Sequence, residues 1–179
     1  MAEIKSFPPA RLVCGIISAV DAAFDRAEAR LAGEFGELAS RSPRFPFDVT
    51  DYYEPEMGAG LRRGFVAFRP LVDPAGLAEA KIRTNAIERE ISAELGTGGR
   101  IVNLDPGCLT GAALIMATAK NCAHRIPMRG GVYGHLEILF TRTGVRLLEW
   151  TYPDFRRAGI QEYFIAERRR LLAELQARG

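Results

Sequence analysis

Residues 72–96, VDPAGLAEAKIRTNAIEREISAELG, constrain the fold more than any other stretch. Asp73 is a good helix N-cap, Pro74 stands where a first turn tolerates proline, and Gly96 is a good stop. Between them Leu77, Ala80, Thr84, Ile87, Ile91 and Leu95 recur at helical spacing and make one apolar face. Such a face has to be covered. Short apolar runs flank the helix, RRGFVAFRPL at 62–71 and RIVNLD at 100–105, and both read as strands.

The rest of the chain extends this pattern. RLVCGIISA at 11–19 reads as a buried strand, and Ser18 or Asp21 then caps a helix carrying Phe24, Ala27, Leu31 and Phe35 that stops near Gly36. After a loop containing RSPRFP, residues 47–53 read as a further strand. Strand, helix, strand, strand, helix, strand is the order of a ferredoxin-like βαββαβ unit. Downstream, GAALIMATAK has no decisive period, whereas GVYGHLEILF alternates, with Val132, Leu136, Ile138 and Phe140 against Tyr133, His135 and Glu137. A turn at TRTG and the run VRLLEWTY complete an antiparallel hairpin, and a last helix from about Gly159 presents Ile160, Phe164, Leu171 and Leu175. The expectation is a single α+β domain over residues 1–179: a ferredoxin-like first half, an antiparallel hairpin and a C-terminal helix.

Composition narrows the function. At 47% hydrophobic and 26% charged residues the chain is globular, and its apolar runs are too short to span a bilayer, so no membrane role is expected. No signal or transit peptide is read at the N-terminus. Cys14, Cys108 and Cys122 are far apart without a C-x-x-C, which fits free thiols in a reducing cytoplasm. A formal charge of +2 makes no case for DNA. The arginines at 168–170 point about 100° apart on a helix and read as a solvated face.

Several strings could carry chemistry. In FDVTDYYEPEMG, two phenols, Tyr52 and Tyr53, stand beside Glu56 and further carboxylates, which suggests a ligand wall or a packing corner. Lys81, Asn85 and Glu88 border the core face of the long helix and suit a phosphate, a base or sugar, and an orienting carboxylate. An ordinary helix flank with local ion pairs explains them equally well. NLDPG puts Asn103 and Asp105 at a strand end before a Pro-Gly turn, a common place for a catalytic carboxylate and also plain turn chemistry. KNCAHR offers Lys120, His124 and Arg125, an acid–base candidate beside a phosphate clamp, although a lone histidine is more often structural. EWTYPDF adds Trp150, Tyr152 and Asp154, as a stacking platform or a core closure.

Other chemistries are excluded by their motifs. There is no G-x-x-x-x-G-K-[ST], no G-x-G-x-x-G opening a helix, no H-E-x-x-H and no G-x-S-x-G. HLE at 135–137 matches H-x-E by letter, but no P-C-x-x-C completes a deaminase zinc site. Metal-dependent chemistry would draw on Glu56, Asp105 and Asp154, oxygen ligands that suit Mg²⁺.

DYYEPEMG, TNAIE, NLDPG, KNCAHR and WTYPDF, in this order and over nearly the full length, resemble a prokaryotic family of domains of unknown function. The motif positions are Tyr52, Tyr53, Glu56, Met57, Gly58, Thr84, Asn85, Glu88, Asn103, Asp105, Pro106, Gly107, Lys120, His124, Arg125, Trp150, Tyr152, Pro153 and Asp154. Some members of that family carry an automatic GTP-binding label. In this chain neither a P-loop nor an N-K-x-D guanine reader supports it, and Cys108 stands where an aromatic residue often follows the DPG.

Two function classes follow. One is a protein that binds a phosphorylated or nucleotide-like small molecule, as a plain binder or as a small enzyme, with Glu56, Asp105 and His124 as catalytic candidates. Its binding candidates are Tyr52, Tyr53, Lys81, Asn85, Glu88, Asn103, Lys120, Arg125, Trp150, Tyr152 and Asp154. The other is a non-catalytic RNA-binding or protein-interaction module using the same aromatics and arginines.

Overall fold

The computed structural model describes residues 3–178. In chain order the strands are β1 (Ala10–Ser18), β2 (Leu38–Arg41), β3 (Phe45–Pro46), β4 (Arg62–Val72), β5 (Asn103–Leu109), β6 (Ala113–Thr118), β7 (Ile126–Pro127), β8 (Tyr133–Phe140) and β9 (Val145–Leu147). The helices are α1 (Asp21–Phe35), the short α2 (Glu54–Met57), α3 (Leu77–Glu94) and α4 (Ala158–Arg178). Among the described residues the nine strands form one antiparallel sheet in the order β2-β4-β1-β5-β6-β8-β7, with β3 on β4 and β9 on β8. The architecture is α+β.

Strand β1 lies at the centre and is buried throughout. Leu12, Cys14 and Ile16 meet Phe24, Ala27 and Leu31 of α1 and Ile87 and Ile91 of α3 on one face. Val13, with Phe65 and Ala67 of β4, meets Phe164 and Leu171 of α4 on the other. A strand covered on both faces reads as a continuous apolar run, which is why RLVCGIIS does not alternate.

Helix α3 follows its sequence signals closely. Asp73 Oδ1 accepts the N–H of Ala75 at 2.9 Å, and a single 3₁₀ turn, Pro74–Gly76, leads into the helix. Gly96 adopts the left-handed φ of 64° beyond its end. Helix α1 departs from expectation at its start. Val20 is its N-cap and has no side-chain cap, while Ser18 accepts the Val20 N–H and donates to the Ile101 carbonyl.

Three expectations are corrected. Residues 47–53 are not a strand: Phe47 packs with Ile17, Met57 and Leu61 from a loop, and only Phe47 makes a strand-like bond, to the Leu61 carbonyl. Their alternation comes from packing, and the strands that pair with the outer edge of β4 lie earlier, at Leu38–Arg41 and Phe45–Pro46, inside the expected loop region. The Pro-Gly turn after Asp105 is absent, because β5 runs straight through Pro106 and Gly107. Pro106 is tolerated where pairing to β6 has already ended, since that ladder reaches only Gly107. Finally, VRLLEWTY keeps strand structure only over Val145–Leu147, while GAALIMATAK, whose pattern left helix and strand open, contains strand β6.

Candidate functional site

Strands β5 and β6 are joined only from Gly107↔Met116 to Leu109↔Leu114. Beyond that point β5 stays on β1 down to Asn103, while β6 stays on β8 out to Thr118. The sheet therefore forks. Asn103 and Asp105 line one side of the fork and Met116, Ala117 and Thr118 the other, around a cavity of about 960 Å³, within the size range of small-molecule sites.

Helix α3 fills the base of the fork. Glu88 Oε1 accepts the Leu104 N–H at 2.7 Å, and Lys81 Nζ donates to the Leu104 carbonyl at 2.6 Å. Two side chains thus take the place of the strand that has moved away, as buried backbone groups require. Lys81 also reaches Asp105 Oδ1 at 3.3 Å, and Asn103 Nδ2 donates to Asp105 Oδ2 at 2.7 Å. Burial alone would raise the Asp105 pKa, but Lys81 and Arg63 outweigh it and hold the carboxyl below the ordinary range. Glu88 goes the other way: burial pushes it up to about 7, against the pull of Lys81 and the Leu104 N–H.

Beneath Asp105 lies Arg63 of β4, only 5% exposed. It donates to Asp154 Oδ2 at 2.8 Å and to Asp105 Oδ2 at 3.4 Å, with the rings of Phe65 and Phe155 each 5.0 Å from its guanidinium carbon. Burial opposes its charge, and Asp154 and Asp105 more than restore it. Gly15 makes room for it, since a Cβ there would stand 2.9 Å from the guanidinium.

On the β8 wall, His135 and Glu137 are buried and line the cavity. Arg125 Nε donates to His135 Nδ1 at 3.2 Å, so the ring proton belongs on Nε2. That nitrogen stands 2.9 Å from Glu137 Oε2 but is not aligned on it, and neither atom has a hydrogen-bond partner. Glu137 Oε1 accepts the Tyr152 N–H at 2.6 Å, and the Tyr152 ring stacks on His135 at 5.4 Å.

The rim is aromatic and cationic. Tyr52 and Tyr53 meet edge to face at 5.0 Å, and Lys120 Nζ sits 3.5 Å from the centre of the Tyr52 ring. Arg100 joins Glu56 at 2.6 Å and Asn103 at 3.0 Å. Burial raises the Tyr53 phenol, with Asp105 adding to the effect.

A family model described as a domain of unknown function, DUF4416, matches residues 8–171. The chain belongs to that family. No curated protein and no solved structure matches it.

In this DUF4416 chain the fork gathers Tyr52, Tyr53, Glu56, Lys81, Asn85, Glu88, Asn103, Asp105, Lys120 and Tyr152 around one cavity. Four other candidates stand behind its wall. His124 stacks on Trp150 at 5.1 Å and meets His135 edge-on, Trp150 Nε1 donates to the Leu136 carbonyl, and Asp154 is buried under Arg63. Arg125 donates to the Lys120 carbonyl at 2.7 Å and to the Tyr152 hydroxyl at 2.8 Å, bracing the wall without lining it. Loss of solvent, then His135 and Arg125, lower the His124 pKa. Among the described residues no three His, Cys, Asp or Glu side chains gather to hold a metal, and the carboxylates Glu56, Asp105 and Asp154 face Arg or Lys partners instead.

Arg63, Arg100, His135 and Glu137 escaped the reading of the sequence. The one available signal was the H-x-E string, in which His135 and Glu137 stand two apart on a strand and so project to one face.

Proposed function

We propose that this DUF4416 chain binds a small phosphorylated or nucleotide-like molecule in the fork between β5 and β6. The observation that carries the reading is the division of charge around the cavity. Arg63, Lys81 and Arg100 are matched by carboxylates, whereas Lys120 and Arg89, which also line it, face no carboxylate among the described residues. An unmatched Lys120 over Tyr52 and Tyr53, with Arg89 elsewhere on the lining, suits a phosphate with a flat or apolar body attached. The support is for binding; bond-making roles are proposed only for Glu56 and Asp105, which line the cavity, and not for His124, which stands behind its wall. We further read residues 1–179 as one α+β domain working in a reducing cytoplasm, supported by the continuous sheet and the free cysteines. Among the described residues no helix is long and apolar enough to cross a membrane.

The test is a thermal-shift and calorimetric screen against nucleotides, sugar phosphates and pyrophosphate, with and without Mg²⁺. A ligand at 100 times its Kd stabilises by about 2.7 kcal/mol. The expected result is a shift that is lost in Lys120→Ala and Arg89→Ala. Stabilisation by single-stranded RNA alone, with no response to any small phosphate, would replace this reading with that of an RNA-binding module.

A further inference from the structure

The ion pairs on the cavity lining differ in how freely they can be exchanged. Arg63 and Lys81 are buried, and their carboxylates hold them from within the fold. Arg100 is different: its side chain is 26% exposed, and that of Glu56, which its Nη2 meets at 2.6 Å, is 48% exposed. An ion pair so open to water contributes little to stability, so a stronger anion can take the carboxylate's place. The guanidinium is held without Glu56, because Nη1 donates to Asn103 Oδ1 at 3.0 Å and the guanidinium carbon lies 5.3 Å from the centre of the Tyr53 ring. Its Nε is enclosed, and Glu88 Oε2, 4.0 Å from Nη1, is beyond hydrogen-bond reach, which leaves Nη2 as the exchangeable donor. Glu56 stands on the single turn α2, which Met57 anchors against Ile17, Phe47 and Leu61, so rotation of its own side chain withdraws the carboxylate. The unmatched Lys120 Nζ lies 5.5 Å from the centre of the same Tyr53 ring.

We propose that Arg100 receives a phosphate of the ligand and that Glu56 is its placeholder, a carboxylate that occupies the anion position until the ligand displaces it. A phosphate carries more negative charge than a carboxylate and offers more acceptor oxygens to the planar guanidinium, so the exchange favours the ligand. Lys120, beside the same ring, adds a second cation for the incoming anion. The inference rests on the cavity being a phosphate-ligand site and concerns binding alone.

The experiment measures the affinities of pyrophosphate, ADP and ribose 5-phosphate by isothermal titration calorimetry on the parent, Glu56→Gln, Arg100→Gln, the double variant and Glu54→Gln. Glu54 is an exposed carboxylate on the same turn, so its replacement removes the same charge without releasing Arg100. The expected result is that Glu56→Gln binds the best of the three ligands about three-fold or more tightly than the parent, the release expected from an exposed ion pair. Arg100→Gln should weaken binding, and adding Glu56→Gln to it should bring no gain. Glu54→Gln should change affinity by less than about two-fold. Unchanged or weaker binding in Glu56→Gln, an equal gain in Glu54→Gln, or a gain that survives Arg100→Gln overturns the placeholder and leaves the phosphate site standing, since that site is judged by Lys120→Ala and Arg89→Ala. Binding of none of the three ligands to the parent or to any variant overturns both. Should Arg100→Gln fail to fold, the comparison of Glu56→Gln with Glu54→Gln decides.

Discussion

Glu88 accepts the backbone N–H of Leu104 at 2.7 Å, standing in for a strand that the fork has carried away. Replacing Glu88 by Ala strands a buried N–H and is expected to cost about 1–3 kcal/mol in a urea titration. Gln can keep the bond, so it should cost less.

The same carboxyl sets a pH dependence. Its folded pKa, about 7, lies above the ordinary 4.5, so the folded state binds the proton more tightly. Stability from this group is fully present below about pH 4.5 and declines as pH rises to about 7, by about 1.4 kcal/mol for each unit separating the two values. Asp105 has the opposite sign: its depressed pKa contributes stability above the ordinary carboxylate range, lost as pH falls through the folded value. Denaturation curves from pH 4 to 8 should show the upper slope vanish in Glu88→Gln, and acid sensitivity should diminish in Asp105→Asn.

Arg63→Met would leave Asp154, 1% exposed, without its cation. An uncompensated buried charge of this kind costs about 3–5 kcal/mol. Adding Asp154→Asn should recover part of that loss, because the charge is removed along with its partner. Purely additive losses in the double variant would mean that the two residues are not coupled.

Thiol reactivity should divide by burial. Cys14 and Cys108 are buried and Cys122 is exposed. Burial raises both inner thiols, Cys108 to about 12, so neither supplies thiolate at neutral pH. Native labelling should modify Cys122 quickly and the others only after denaturation. Rapid native labelling of Cys14 would contradict the packing of β1 between its helices.

Local signals were read correctly where local physics decides the structure. Asp73, Pro74 and Gly96 bound a helix by chain-local rules, and the spacing of Leu77 to Ile91 sets its buried face whatever it packs against. Lys81, Glu88 and Asp105 were legible as site candidates for the same reason: polar groups bordering a core face need partners. What failed depended on distant chain. Phe47 and Val49 alternate with polar neighbours because they pack on Met57 and Leu61, and no local feature separates that from strand pairing. His135 and Glu137 looked like the polar side of a strand, and only the remote Arg125 and Tyr152 contacts turn that side into a cavity wall. Arg63 gave no sign of burial, since its partners lie 42 and 91 residues away.

Gly107 is the sharpest case, and it carries the last prediction. Next to Pro106 it signals a turn, yet it lies within β5, where β6 comes so close that an added Cβ would stand 2.5 Å from Met116 Sδ and 3.0 Å from the Ile115 carbonyl oxygen. Glycine is required there by close approach, not by φ, because its φ is not positive. Gly107→Ala should therefore push β6 away at the last rung before the fork and cost about 1–3 kcal/mol, as overpacking does. Shortening Met116 to Ala in the same chain removes the sulfur contact but not the carbonyl, so rescue should be partial. Because Gly107 closes the fork, the variant should also weaken binding of whichever phosphate ligand the parent takes. Full stability with unchanged ligand affinity in Gly107→Ala would mean that β5 and β6 are not held together at this rung.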